Sequence, residues 1–536
     1  MKKLFALSII CCALATLHSQ SLIINKPLKE FPDIYDLSTP LNTGVTLSYF
    51  AVNGIESLWC NASSYMNTSS HNRNNTPDRI VDKNVKERLL NSIIKEVITY
   101  KDSIACMITE RKRKSDNSNY YLIRVLAFED DKWLNLWEND RSSFEESKEY
   151  FNTYAPEWLI QLRRSNEVRK VSTDTLAFAN YIKQYGVEPK EFLLQVLANN
   201  PLVIYGEIHR RKVSWDLLSN TLQDPRFAET VGTIFVEMPA YQQSEFDRYY
   251  ASKELDTEIL LGIMRTVQTA GWQDRGEYEF LVNLWKLNQT LPVEKKIRVV
   301  PTDEQAPWKL LKTKEDYDKW EKNSMDRNTK MADVVEHTNK TKTDKRNCLF
   351  IVGYGHAYKS HIPGSYSSAE GQEPALSVGA QLVQRFSNKD VFTILQHGPC
   401  MRNIGGALGL VRQGLFDYVF EKNGNKSVGF HLTNSPFGAE PYDADFDDCF
   451  DHRAGNYADN FDGYIFLQPL KDEDSGYILY DEIWTDKFVK EVQRRYALFN
   501  WDMKKDFGIK GKLTKEKIIK SFKEGKSEKR WGYLFE

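Results

Sequence analysis

The run Leu202-Val203-Ile204-Tyr205-Gly206-Glu207-Ile208-His209 decides how this chain is read, and Leu349-Phe350-Ile351-Val352-Gly353-Tyr354-Gly355-His356 repeats its plan. Each is a short, β-rich apolar run that ends in glycine and delivers a histidine three residues later. A continuous apolar run of this length, closed by turn residues, reads as a strand buried on both faces, the kind found in parallel sheets. Only nine histidines occur in 536 residues, so two in one local setting say more about function than any bulk property.

Working outward, runs at 233–236, 297–300 and 391–395 have the same character, and residues 463–467 read as a last strand returning to the sheet. Between them lie amphipathic stretches at 215–222, 241–251, 258–269, 278–287, 317–337 and 375–386. Strand and helix alternating over some two hundred residues imply an α/β fold, a mainly parallel sheet with helices on both faces. We assign it to residues 157–470, opening with a helical connector at 176–185 and 190–198.

Residues 21–156 have another rhythm: a polar stretch at 61–76, a helical pattern at 86–100, then strands at 120–128 and 132–137. Glu129-Asp130-Asp131 between those strands reads as a hairpin turn. This is expected to be a small α+β domain without visible chemistry. Residues 471–536 are expected to form a helical, Lys-rich extension with a solvated face, its lysines interleaved with Asp506, Glu516, Glu524 and Glu528.

The start, Met1-Lys2-Lys3 followed by an apolar stretch to Leu17, reads as a secretory signal spanning 1–19, cleaved after Ala15 or near Ser19. Cys11 and Cys12 suggest a lipoprotein, but Ile9 and Ile10 before them are bulky where a lipobox wants small residues. Export is therefore expected, to a periplasmic, outer-membrane-associated or secreted location. No later run reaches the ~20 apolar residues of a membrane span, and a net charge of −2 argues against a nucleic-acid partner. Cys60, Cys106, Cys348, Cys400 and Cys449 are too sparse for a disulfide scaffold or a C-x-x-C zinc site. Asp443, Asp445, Asp447 and Asp448 lack EF-hand spacing and read as a surface loop.

In open parallel sheets, ligands bind beyond the carboxyl ends of the strands. Those ends hold Glu207 and His209, then Glu237, then Asp303 and Glu304, then His356. One such group is ordinarily a helix cap or a solvated loop residue. Four consecutive strands ending in titratable groups point to a site, because charges gathered at one edge repel or need costly desolvation. Arg327 supplies a counter-charge for the acids or for an oxyanion, or else pairs with its neighbour Asp326. Residues two apart in extended chain share a face, so Glu207 and His209 reach one cavity. The two histidine motifs are expected as opposite walls of that cavity, with Glu237 and Asp303 on strands between them.

Two chemistries suit this set. Histidine near carboxylates acts as a general base on water. Alternatively His209, Glu237, Asp303 and His356 hold a divalent metal such as zinc or manganese, whose bound water is the nucleophile. The substrate is then a small molecule or a peptide.

Gly206-Glu207-Ile208-His209, Phe235-Val236-Glu237-Met238-Pro239, the Trp272 and Tyr278 segment, Asp303, the helix carrying Arg327, Met331 and Ala332, and Gly353-Tyr354-Gly355-His356-Ala357 follow one another in order. The ordered set resembles the superfamily that joins ChaN-like haem-binding uptake proteins, TIKI/TraB proteases and erythromycin esterases. The likeness covers about residues 199–396. It implies Glu207, His209, Glu237, His356 and, less closely matched, Arg327 and Asp303 as site residues of a hydrolase. One residue separates Glu207 from His209, as in the ChaN-like and TIKI-like branches, where erythromycin esterases have two. The ChaN-like branch implies haem as the alternative ligand, with an axial donor from tyrosine or histidine, Tyr205, Tyr354 and Tyr358 lying nearest the motifs.

Overall fold

The computed structural model describes residues 19–55, 58–59, 62–64, 78–360, 376–400, 409–443, 454–524 and 528–535. The expected signal segment, apart from Ser19, lies outside these residues, as do most of the polar stretch at 61–76 and Asp445, Asp447 and Asp448. The chain divides into two compact units, one formed chiefly by residues up to 170 and one chiefly by those after it.

The first unit is a five-stranded antiparallel sheet of β1 (Ser19–Pro27), β2 (Ile93–Tyr100), β3 (Ile104–Lys112), β4 (Asn119–Glu129) and β5 (Lys132–Arg141), paired in chain order. Alternation along β3 divides its two faces. Ile104, Cys106 and Ile108 join the core under the helix Phe144–Arg169, while Ala105 and Met107 face cores that include Leu47, Phe50, Val45 and Tyr49 of the helix Pro40–Asn53. The β4–β5 turn has Asp130 and Asp131 at φ of 49° and 62°, the left-handed pair that a two-residue hairpin requires. The helical pattern expected over 86–100 is corrected: the helix is Lys83–Leu90, and Ile93–Tyr100 is strand β2. Five of its eight residues, Ile93, Ile94, Val97, Ile98 and Thr99, are β-branched and fit a pleated surface better than a helix.

The second unit holds a seven-stranded sheet of β6 (Leu202–Glu207), β7 (Val231–Pro239), β8 (Arg298–Asp303), β9 (Asn347–Gly353), β10 (Val391–Gln396), β11 (Val428–His431) and β12 (Gly463–Phe466). Its order is β11-β12-β10-β6-β9-β7-β8. All neighbours run parallel except β11, which is antiparallel to β12. Both faces are covered, so the fold is α/β. Val203, Tyr205, Leu349 and Ile351 join one core with helices Pro189–Asn199, Lys212–Leu222 and Arg275–Thr290. Leu202, Ile204, Phe350 and Val352 join the other, with Thr175–Tyr185, Arg327–Thr341 and Val378–Arg385.

This order corrects the expected placement of the two histidine motifs. β6 and β9 are adjacent, with Gly206 opposite Val352 and Glu207 opposite Gly353. Glu237 and Asp303 lie beyond β9 on the same side, because β9 inserts between strands that precede it in the chain. The amphipathic stretch at 317–337 is likewise two helices, Lys314–Asn323 and Arg327–Thr341. Ser324 closes the first and Asp326 caps the second, its Oδ1 accepting from Thr329 N at 2.8 Å. That break puts Arg327 and Asn328 in a first turn, above the strand ends.

In the Lys-rich region the helix Lys515–Lys523 buries Ile518 and Ile519 in the first of the two cores while Lys517, Lys520 and Lys523 stay exposed. No helix among the described residues is long and apolar enough to cross a membrane.

Candidate functional site

At the carboxyl edge of β6, Glu207 is buried and its Oε1 meets Nδ1 of His209 in a hydrogen bond. The chain then turns sharply: Arg210 has φ of 61°, and its N–H donates to Oδ2 of Asp274 at 2.7 Å. The ring of His209 stands edge-on to Trp272, centroids 4.8 Å apart, and the Arg210 guanidinium lies 5.0 Å over the same indole. Partial desolvation favours neutral His209, but the charge and hydrogen bond of Glu207, with Glu237 behind, push it up to about 9. His209 is therefore an imidazolium at neutral pH.

β9 contributes the next parts. Gly353 N–H donates to Oε2 of Glu237 at 2.8 Å. A Cβ on Gly353 would lie 2.8 Å from Cε1 of His209 and 3.3 Å from Oε2 of Glu237, so only glycine lets these two groups approach. Three residues on, Nε2 of His356 stands 3.6 Å from Oε1 of Glu237. Its Nδ1 is 2.7 Å from Oδ1 of Asn328, an oxygen that also accepts from Val378 N–H at 3.1 Å. Because the Val378 amide can only donate, that Asn328 atom is the acceptor, and His356 Nδ1 carries the hydrogen. Burial, aided by Arg327, pushes His356 below the ordinary histidine range against the pull of Glu237. Its neutral form keeps the lone pair on Nε2.

Arg327 ties the two acids of β7 and β8 together. Nε reaches Oδ1 of Asp303 at 2.9 Å, and Nη2 reaches Oδ2 of Asp303 and Oε1 of Glu237, each at 2.7 Å. It pairs with these acids rather than with its neighbour Asp326. Nη1 has no protein partner among the described residues. Burial favours the neutral acid at Glu237, but Arg327, the histidines and the Gly353 N–H hold it well below the usual carboxylate range. Asp303, buried and also bonded by Gln305, is raised by that burial despite Arg327. Glu304 lies aside, its Oε2 3.9 Å from Nζ of Lys330.

A small cavity of about 20 Å³ opens here, lined among others by Glu207, His209, Glu237, Arg327, Trp215 and Trp272. It has room for about one water molecule, far less than the roughly 300–1,000 Å³ of ligand pockets. Two acids, one lining the cavity and one just behind it, escaped the sequence reading. Glu277, buried in the first turn of the helix Arg275–Thr290, accepts from Nε1 of Trp272 at 2.7 Å. Asp274 caps that helix and accepts from Nε1 of Trp215 at 3.1 Å; burial, then Glu207, push it up to about 6. Asp274 followed three residues later by Glu277 is a helix-start signal in sequence, which hides any chemistry in it.

The C-terminal region also reaches this edge. Nη2 of Arg530 donates to the His209 carbonyl at 2.7 Å and its N–H to the Glu473 carbonyl at 2.8 Å. Glu473 in turn takes two bonds of 3.0 Å from Nε of Arg211, buried beside it. At the end of β10, buried His397 bonds Tyr464 Oη at 2.9 Å and Asp417 Oδ1 at 3.1 Å, a structural arrangement that uses both ring nitrogens.

The metal reading does not fit these side chains. Among the described residues no group of three or more His, Cys, Asp or Glu is arranged to hold a metal ion. Both oxygens of Asp303 and one of Glu237 are taken by the Arg327 guanidinium, and the other Glu237 oxygen by the Gly353 amide. Haem fits no better through tyrosine: Tyr205 is fully buried with its hydroxyl 3.3 Å from Ser214, Tyr358 is buried, and neither they nor Tyr354 line the cavity.

The site thus defines a mainly parallel α/β protein whose acids and histidines gather at one carboxyl edge of the sheet. Solved structures similar to this chain include a succinoglycan biosynthesis protein, at 11% identity over 56% of this chain and 98% of that one, TM-score 0.39. They also include the erythromycin esterase EreC, as a histidine-to-asparagine mutant in its open conformation, at 12% over 51% and 92%, TM-score 0.35. ChaN of Campylobacter jejuni, solved with cofacial haem, matches at 12% over 40% and 90%, TM-score 0.26. No protein-family model and no curated protein matches the chain.

Proposed function

We propose that this protein is a hydrolase that cleaves an ester, lactone or peptide bond, with water activated by His356. One observation carries the reading: His356 is held through Nδ1 by Asn328 at 2.7 Å with its Nε2 3.6 Å from Glu237, and its surroundings push it down from the ordinary histidine value while those of His209 push that ring up. A protonated His209 cannot accept a proton, whereas His356 presents a fixed, bare Nε2. Titratable groups driven apart in this way are how acid and base roles are divided in a site.

The chemistry follows from the geometry. Asn328 holds the His356 ring as the third member of a catalytic triad holds its histidine, leaving Nε2 to take a proton from water. Nη1 of Arg327 and the His209 imidazolium offer N–H groups to the oxyanion that forms on the attacked carbonyl. Glu207, Glu237 and Asp303 hold these cations in place rather than reacting.

The same proposal takes residues 157–470 as the catalytic domain, with 21–156 and 471–536 as accessory regions, and residues 1–19 as a signal that directs export. The proposed substrate is a small molecule or a peptide, and the cavity of about 20 Å³ has room for about one water beside it. The test is turnover of a panel of esters, lactones and peptides by the purified protein and by H209A and H356A. Loss of turnover in folded variants is expected, and activity kept in both rejects the mechanism. A haem titration distinguishes the alternative: no Soret change is expected, and a saturable one favours haem binding.

A further inference from the structure

The cavity wall carries an acid that the scheme above leaves unused. Glu277 is 7% exposed and lines the cavity. Its Oε2 accepts from Trp272 Nε1, and its Oε1 has no hydrogen-bond partner among the described residues. No cation pairs with it among the described residues; the charges that act on it most are those of Asp274, Glu207 and Glu237, all acids, while His209 and Arg327 line the same cavity. Its position in a helix first turn favours the anion only weakly, far less than burying an unpaired carboxylate disfavours it. Burial and these neighbours accordingly push Glu277 well above the usual carboxylate range. A second observation lies on the same wall: Oε2 of Glu207, in a side chain about 5% exposed, is buried with no partner. The wall therefore holds two acids, each with one oxygen that has no hydrogen-bond partner among the described residues.

We propose that Glu277 is the proton donor of this site, protonating the leaving oxygen as the scissile bond breaks, and that Glu207 Oε2 then accepts from the new hydroxyl. The inference rests on the hydrolase reading and selects within it substrates with a poor, alcohol-type leaving group. The step balances. Water gives its proton to His356 Nε2 as its oxygen bonds to the carbonyl carbon. The tetrahedral adduct collapses, the C–O bond breaks with its electron pair on the leaving oxygen, and that oxygen takes the Glu277 proton. The imidazolium proton returns to the Glu277 carboxylate through solvent, and the net change is ester plus water to acid plus alcohol. The apolar and aromatic wall of Trp215, Trp272, Val267 and Ile351 shields the proton from bulk water until a ligand arrives.

The test compares alkyl esters with 4-nitrophenyl esters of the same acid, because nitrophenolate leaves without protonation. E277Q, which preserves shape and an acceptor for Trp272, is expected to lose 10²-fold or more on alkyl esters, the usual worth of a general acid. It should stay within a few-fold of the parent on nitrophenyl esters, while H356A loses both. Equal effects on the two series overturn the role of Glu277 alone; no turnover of either by the parent overturns the hydrolase reading instead. A measurement free of activity stands beside it. The unmodified protein at neutral pH should show the infrared carbonyl band of a protonated carboxyl that E277Q removes and H356A keeps. A parent protein without that band overturns the proposal even where E277Q fails to fold.

Discussion

Arg327 grips Asp303 with two nitrogens, Nε to Oδ1 at 2.9 Å and Nη2 to Oδ2 at 2.7 Å. The same Nη2 reaches across to Glu237, so one guanidinium spans the ends of β7 and β8. A lysine ammonium is a point charge and cannot reproduce this fork. R327K is therefore expected to lower kcat at least tenfold with a small change in melting temperature. R327A strands fully buried Asp303 and should cost about 2–3 kcal/mol in denaturant unfolding, below the 3–5 of a wholly buried pair because the guanidinium is a third exposed. Wild-type kcat in R327K removes Arg327 from the mechanism.

Glycine at 353 is required for space, and a paired substitution isolates that requirement. G353A pushes a methyl to within 2.8 Å of the His209 ring, which must swing from Glu207. A loss of activity of 10²-fold or more is expected, with about 1–3 kcal/mol of destabilisation. G355A, exposed and meeting only the Tyr358 hydroxyl at 4.0 Å, should be nearly silent in both assays. Equal behaviour of the two variants contradicts the account of Gly353.

The pH profile of kcat/KM is expected to be bell-shaped with a broad top. The groups facing His356 are Glu237, Arg327, Asp303 and, uncharged, Asn328; its acid limb should fall below the ordinary histidine value of 6.5. The alkaline limb should fall near 9, where His209 loses the proton that Glu207 and Glu237 stabilise. N328A frees the His356 ring and should cut kcat sharply with KM little changed. A profile without the limb near 9 argues that His209 is not the charged partner.

Asp274 provides a stability test. Its folded value, about 6, lies above the 3.8 of an exposed aspartate, so its contribution is fully present below 3.8 and lost as pH rises through 6. The loss between pH 4 and 7 is up to about 3 kcal/mol, from a shift of roughly two units at 1.36 kcal/mol each. D274N should flatten that slope in urea melts. Its absolute stability also changes, because an amide cannot accept from Arg210, Trp215 and Glu277 together. An unchanged slope points to another group.

Much of the sheet was legible because strands buried on both faces read as unbroken apolar runs, and their polar ends stand out against them. Glu207, His209, Glu237, Asp303, Arg327 and His356 do come together at one edge. What periodicity cannot carry is spatial order: β9 sits between β6 and β7, so the two histidines are neighbours rather than facing walls. Strand β2 was missed because Ile93–Tyr100 follows directly on a helix. Glu277 and Asp274 were hidden because a capping pattern explains them without chemistry. Arg530 lies in a lysine-rich stretch where one more cation carries no signal, and only the fold brings it 2.7 Å from the His209 carbonyl.

That last contact joins residues 321 positions apart. Non-local contacts are made late, after the entropy of closing long loops has been overcome. The β6–β9 pairing itself spans well over a hundred residues, and the turn holding His209 gains, beside its bond to Asp274, a further brace when Arg530 and the Arg211–Glu473 pair arrive. On refolding, the protein should therefore regain its sheet before its activity, the delay between the two reporting the docking of this distant arm.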